Sequence, residues 1–144
     1  MEVKIENMII ERVVEMFFEM KLKGKKSRHR TKFIQFLTEK VEEKEKNERQ
    51  LLEDYCEKDE NGELKANKEG THYDIKDMDE YVRELQELNM EKVVFGGSDN
   101  EETIKVIRNI LDECEEEYSG YDATIYNHLC ELFKVDESVE FEEE

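Results

Sequence analysis

Lys21, Lys23, Lys25, Lys26, Arg28, Arg30 and Lys32 place seven positive charges between Glu19 and Glu39 with no acid among them. Cations gathered at the start of a helix add to the positive end of its dipole, which disfavours the helix and makes a ready anion site. Lys23, Lys25, Lys26, Arg28, Arg30 and Lys32 are therefore candidate partner-binding residues, for nucleic-acid phosphates, an acidic protein surface or a phosphorylated ligand. The plainer reading has them pair with acids of the same chain or of a second copy. A net charge of −18 also opposes approach to DNA.

Two acidic groups suggest the reverse chemistry. Glutamates three and four residues apart on a helix stand roughly 5–6 Å from one another, a spacing comparable with that of phosphates. Glu42, Glu43, Glu45 and Glu48, or Glu113, Glu115, Glu116 and Glu117, could present such a row to a protein that expects nucleic acid. The common alternative is a solvated helix face that aids solubility.

Metal and catalytic chemistry find little support. Glu57, Asp59, Asn61 and Gly62 loosely match the first half of a calcium loop, but Lys68 stands where a bidentate Glu is required. Cys56, Cys114 and Cys130 form no CxxC pair; His128 and Cys130 point to different sides of a helix, and His29 and His72 are isolated and read as surface residues. Gly96-Gly97-Ser98 resembles a fragment of a phosphate cradle, yet it lacks a following Lys and is flanked by Asp99, Glu101 and Glu102. No nucleophile has an oriented base beside it, so a non-enzymatic protein with neither metal nor cofactor is expected. Cys114 and Cys130 fall on apolar stripes and read as core residues.

The elements that would position these groups are mainly helical. Proline is absent and only six glycines interrupt the chain. Val3 and Ile5 alternate with charges as in a short strand, after which Asn7 could cap a helix carrying Ile10, Val13, Val14, Phe17 and Phe18 on one face to about Leu22, ended by Gly24. A long second helix should start at Ser27 or Thr31 and run to about Lys58, its Glu42–Gln50 middle lacking any apolar residue and facing solvent or packing through side-chain stems. Asn61-Gly62 signals a type I′ turn, and Glu63–Ala66 with Thr71–Ile75 could form a β-ribbon. Asp77, with Glu80 three residues on, can cap a third helix with Met78, Tyr81, Val82, Leu85 and Leu88 on one apolar face; Val93–Phe95 reads as a short buried strand. Ser98 and Glu101 make a capping box for a fourth helix whose stripe is Ile104, Ile107, Leu111, Cys114 and Tyr118. Asp122 can cap a fifth helix carrying Ile125, Tyr126, Leu129, Cys130 and Phe133.

The expected architecture is mainly α with a minor β element: a helical hairpin with a long second helix plus a small helical C-terminal half. It forms one domain over 1–135 with an excursion at 59–75 and an acidic flexible tail at 136–144. Of 144 residues, 43% are charged and 37% hydrophobic, so a folded core depends on the apolar residues being concentrated on helix faces, as they are. No run reaches the roughly 18 apolar residues of a membrane span, and no leader pattern opens the chain. A soluble cytoplasmic protein is expected.

Several stretches resemble a family of small acidic proteins of unknown function encoded by tailed phages of Gram-positive bacteria. They are Val3-Lys-Ile-Glu-Asn7, Leu22-Lys-Gly-Lys-Lys-Ser-Arg-His-Arg-Thr-Lys-Phe33, Glu57-Lys-Asp-Glu-Asn-Gly62 and Glu91-Lys-Val-Val94. The resemblance implies a phage origin and the cytoplasm of an infected cell, and it implies no chemistry. The leading expectation is a protein that binds a host or phage protein, such as an inhibitor of a host defence or nucleic-acid-processing protein. A phage assembly or packaging accessory, nucleic-acid binding through residues 21–32, and a homo-oligomer are the alternatives.

Overall fold

The computed structural model describes residues 1–67 and 69–137. Strand β1 (Val3–Glu6) leads directly into helix α1 (Asn7–Glu19), followed by the long helix α2 (Gly24–Tyr55), α3 (Met78–Met90), β2 (Lys92–Phe95), a 3-10 turn (Ser98–Asn100), α4 (Glu101–Asp112) and α5 (Gly120–Leu132). The expectation of a mainly helical fold with a minor β element is met. The two strands pair antiparallel, Val3 opposite Phe95 and Ile5 opposite Val93. Their alternation sends Val3, Ile5 and Phe95 into the core, while Val94 stays exposed, so β2 is buried on one side only.

Asn7 does not cap α1 from outside. It is the first helical residue, and it is buried: its backbone N–H donates to Glu91 O at 2.8 Å and its side-chain Nδ2 to Leu88 O at 2.9 Å. One side chain thus ties the start of α1 to the end of α3. At the other end α1 stops at Glu19, short of the expected Leu22, because Met20 turns extended. The Arg30 guanidinium then takes the freed carbonyls of Phe17 and Met20 at 2.9 and 2.7 Å. Gly24, expected to end α1, instead opens α2 with a φ of +62°, a conformation an L side chain rarely adopts.

Thirty-two residues make α2 about 48 Å long, and α1, α3 and α4 all pack against it. It begins before Ser27 and ends at Tyr55 instead of Lys58, where the chain peels away to bridge Cys56 with Ile75 and Lys58 with Leu64. Ala66 pairs with Tyr73, so the expected ribbon is one hairpin of a small three-segment cluster in which each segment is bridged to the other two. In its Asn61-Gly62 turn only Gly62 has positive φ, which rules out type I′. The turn closes on Asp59 Oδ1, which accepts the backbone N–H groups of Asn61 and Glu63 at 2.8 and 3.0 Å.

Two further expected N-caps fail. Ser98 makes no capping bond, and Glu101, buried, receives the Met1 amino group on Oε1 at 2.5 Å. Its Oε2 has no hydrogen-bond partner among the described residues. Asp122 lies inside α5, where it grips Arg12 of α1 at 2.8 and 2.5 Å. Asp77 does cap α3, accepting the Glu80 N–H at 3.1 Å. Helix α4 ends at Asp112, so Cys114 and Tyr118 lie beyond it on the connector to α5. Four glutamates at 113 and 115–117 would extend a helix whose carboxyl end already carries negative partial charge. Of the expected tail, Asp136 and Glu137 are described, and Arg108 donates to the carbonyls of Lys134 and Glu137; residues 138–144 lie outside the described residues.

The core gathers on one aromatic side chain. Phe33 of α2 meets Phe17 of α1, Phe95 of β2 and Phe133 just past α5 with ring centroids at 5.3, 5.2 and 5.8 Å. Edge-on and tilted geometries of this kind add to the area buried. Phe33→Ala should lower unfolding stability by about 3–5 kcal/mol in urea titrations, whereas Phe18→Ala, at a site 75% exposed, should change it by less than about 0.5 kcal/mol.

Candidate interaction surfaces

The cationic stretch spans the connector between α1 and α2 and the first two turns of α2, where it faces α4. Lys25 pairs with Glu102 and Lys26 with Glu113. Lys32 Nζ donates to Asp99 O at 2.8 Å, and Arg30 is committed to the end of α1. Four of the six candidate residues therefore bind this chain's own acids and carbonyls. Lys23 and Arg28, with neighbouring Lys21, are exposed and make no hydrogen bond or ion pair within the described residues. Self-pairing was the plainer of the two sequence readings, and it explains how α2 tolerates cations in its first turns: Glu102 and Glu113 offset both side chains and dipole.

His29 is not the surface residue expected. It is half-buried, with Nδ1 2.8 Å from Thr103 Oγ1 on α4. Loss of solvent pushes its pKa down, reinforced by Lys25, Lys32 and Arg28 and opposed by Glu102. Glu102 itself is held below the ordinary carboxylate range, chiefly by its hydrogen bond from Lys25. On the far side of α1, Arg12 holds Asp122 down by the same kind of bond and is itself raised.

The first acidic group does form a helical row on α2. Glu42, Glu43 and Glu45 are exposed; Glu43 lies 3.5 Å from Lys40 and Glu48 3.4 Å from Lys44. Glu42 and Glu45 have no ion pair among the described residues, and they stand one turn apart. Most of the helix middle projects into solvent, one of the two expected outcomes, while Lys44 packs through its stem, its side chain only 13% exposed as its ammonium reaches Glu48. The second acidic group is not on a helix. Glu113 sits in the turn after α4 bound to Lys26, and Glu115, Glu116 and Glu117 run through the connector, so the regular helical spacing proposed for them is absent.

Between that connector and residues 20–26 lies an open groove of about 430 Å³, with Met20, Leu22, Ile110 and Cys114 as floor and Lys21, Lys26, Glu113, Glu115 and Glu116 around it. Opposite charges on its rim leave it without a dominant sign. Beyond it, Tyr118 and Tyr126 lie with rings 5.2 Å apart, and Tyr126 Oη donates to Leu111 O at 2.5 Å. Burial raises both phenols and the Cys130 thiol, so neither phenolate nor thiolate is favoured there. Cys114 and Cys130 pack partly buried against the core, and Cys56 is fully buried among the three bridged segments that follow α2.

Asp59 Oδ1 accepts two backbone N–H groups and closes the Asn61-Gly62 turn. Among the described residues no three His, Cys, Asp or Glu side chains converge as a metal site, and no helix is long and apolar enough to cross a membrane. The acidic row at 42–48 was legible because helical spacing is local. His29–Thr103 and Arg30 were not, since their partners come from elements 74 and 10–13 residues away.

The family described as "Protein of unknown function (DUF1617)" matches residues 1–140, and the chain belongs to that family. No curated protein and no solved structure matches it.

Arg30→Met keeps the stem but removes both guanidinium bonds, leaving Phe17 O with only the Met20 N–H at 3.3 Å, and should cost about 1–3 kcal/mol in unfolding stability; Arg28→Gln should cost under about 0.5 kcal/mol. For His29 the folded pKa lies below the ordinary 6.5. The unfolded chain therefore takes up the proton first on acidification, and the stability due to neutral His29, present above 6.5, is lost as pH falls from there toward the folded pKa. Urea midpoints measured across that window should fall for the wild type, and the step should shrink in His29→Gln.

Proposed function

We propose that this member of the family is a non-enzymatic, phage-encoded binding protein that acts in the host cytoplasm by occupying a cationic surface of a host protein that handles nucleic acid, with inhibition as the outcome. The carboxylate row on α2 carries the reading. Glu42 and Glu45, exposed and without an ion pair among the described residues, present charge at helical spacing on an element fixed to the core through Phe33 and Leu37. A rigid row at roughly 5–6 Å spacing offers a basic groove what successive phosphates would offer it.

The fate of the cationic stretch supports the same reading over nucleic-acid binding. With Lys25, Lys26, Arg30 and Lys32 turned to their own chain, Lys21, Lys23 and Arg28 are too few to offset the field of a chain carrying −18. A protein partner with a basic face gains from that field in encounter rate as well as in contact.

Immobilised wild-type protein should retain a specific partner from a Gram-positive host lysate, released as salt rises from low to high concentration. The variant with Glu42, Glu43, Glu45 and Glu48 all changed to Gln should retain it poorly while unfolding at an unchanged urea midpoint. Recovery of the bait alone, or equal retention by the variant, would contradict the proposal.

A further inference from the structure

The outer face of α3 is apolar where a solvated helix would be polar. Met78, Val82 and Met90 fall at four-residue steps, with Gln86 completing the series, and they are 53%, 40% and 66% exposed. Of the expected apolar face of α3, Leu88 is buried and Tyr81 and Leu85 are partly buried, while Met78 and Val82, on the adjoining side of the helix, are left exposed. Met8, 52% exposed, opens at the same end as Met90, since its neighbour Asn7 is bonded to Glu91 and Leu88. From Met78 to Met90 the stripe runs about 18 Å along the helix. Residues at four-residue steps form a ridge, the surface feature that fits the groove of another helix.

The surroundings state the charge of that helix. Between Asp74 and Glu91 there are seven acids and two bases, and Asp77, Asp79, Glu80, Glu87 and Glu91 are exposed. Apolar side chains set among mainly acidic neighbours, with Arg83 the one base on the helix, suit a ligand with an apolar stripe and flanks that are mainly basic. Unbranched methionines add the adaptability that helix-binding surfaces use.

We propose that the Met78–Val82–Met90 stripe of α3 docks a basic amphipathic helix of the partner protein. The inference rests on the protein-binding reading above and assigns the partner's chemistry: leucine-like anchors at three- and four-residue spacing, with lysine and arginine on the remaining face. It places the contact on α3, apart from the carboxylate row on α2, so the two can fail separately.

The probe is a fluorescein-labelled model helix of about 18 residues, Leu at helical spacing and Lys elsewhere, with a control peptide of the same composition whose order removes the apolar face. Anisotropy titrations with the full chain are run at about 0.15 M salt, where unspecific attraction between exposed charges is screened. The amphipathic peptide should bind at least about tenfold more tightly than the control. The triple variant Met78→Ser, Val82→Ser, Met90→Ser should lose about tenfold in affinity, and Phe18→Ser, exposed on α1, should keep wild-type affinity. Labelled methionine methyl groups give a second readout on the unaltered protein: the Met78 and Met90 signals should shift on titration, and buried Met16 should not. Absence of binding, equal binding of the two peptides, or a triple variant that binds like the wild type overturns the proposal. Those results leave the α2 capture experiment standing, and loss of α2-dependent capture does not move the peptide titration.

Discussion

Arg30 holds the turn on which the rest of the molecule is arranged. Its guanidinium accepts the job that further helix would otherwise do at the end of α1, bonding the Phe17 and Met20 carbonyls from the second turn of α2. That bond sets where α1 stops and brings α2 back alongside it. Phe33, three residues further on, then lands between Phe17, Phe95 and Phe133. The cations around Arg30 are carried toward α4, where Glu102 and Glu113 meet them.

Electrostatics in this protein is therefore arranged in two layers. Within the chain, opposite charges of distant segments meet, exposed between α2 and α4 through Lys25 with Glu102 and part-buried between α1 and α5 through Arg12 and Asp122. Individually exposed pairs contribute little to stability. Their consequence is to use up cations, so that the surface left over is more uniformly acidic than the sequence pattern of a positive stretch in a negative chain suggests. The partner-facing character of the molecule follows from what the cations bind, as much as from how many there are.

Where a residue departs from its local role, a tertiary contact claims its side chain. Asn7, Ser98 with Glu101, and Asp122 all have N-cap chemistry, yet Asn7 reaches Leu88, Glu101 receives the Met1 amino group, and Asp122 takes Arg12. Each of those bonds joins residues at least 80 positions apart. The fourth helix likewise lost its last turn, since four glutamates at its carboxyl end oppose the dipole that a stripe of Cys114 and Tyr118 would need to overcome.

Apolar periodicity determined the helical class, the long α2 and most of the inward faces of α1, α4 and α5, though Phe18, expected on the buried face of α1, is 75% exposed. The spacing of the glutamates alone placed Glu42–Glu48 along one helix. These depend on residues within one or two turns of each other, where spacing fixes geometry. Only the tertiary structure decided which cations are spent inside, that His29 is enclosed against Thr103, and that α3 leaves Met78, Val82 and Met90 uncovered. Those outcomes depend on which elements become neighbours, and a side chain's partner across the fold carries no periodic trace in the chain.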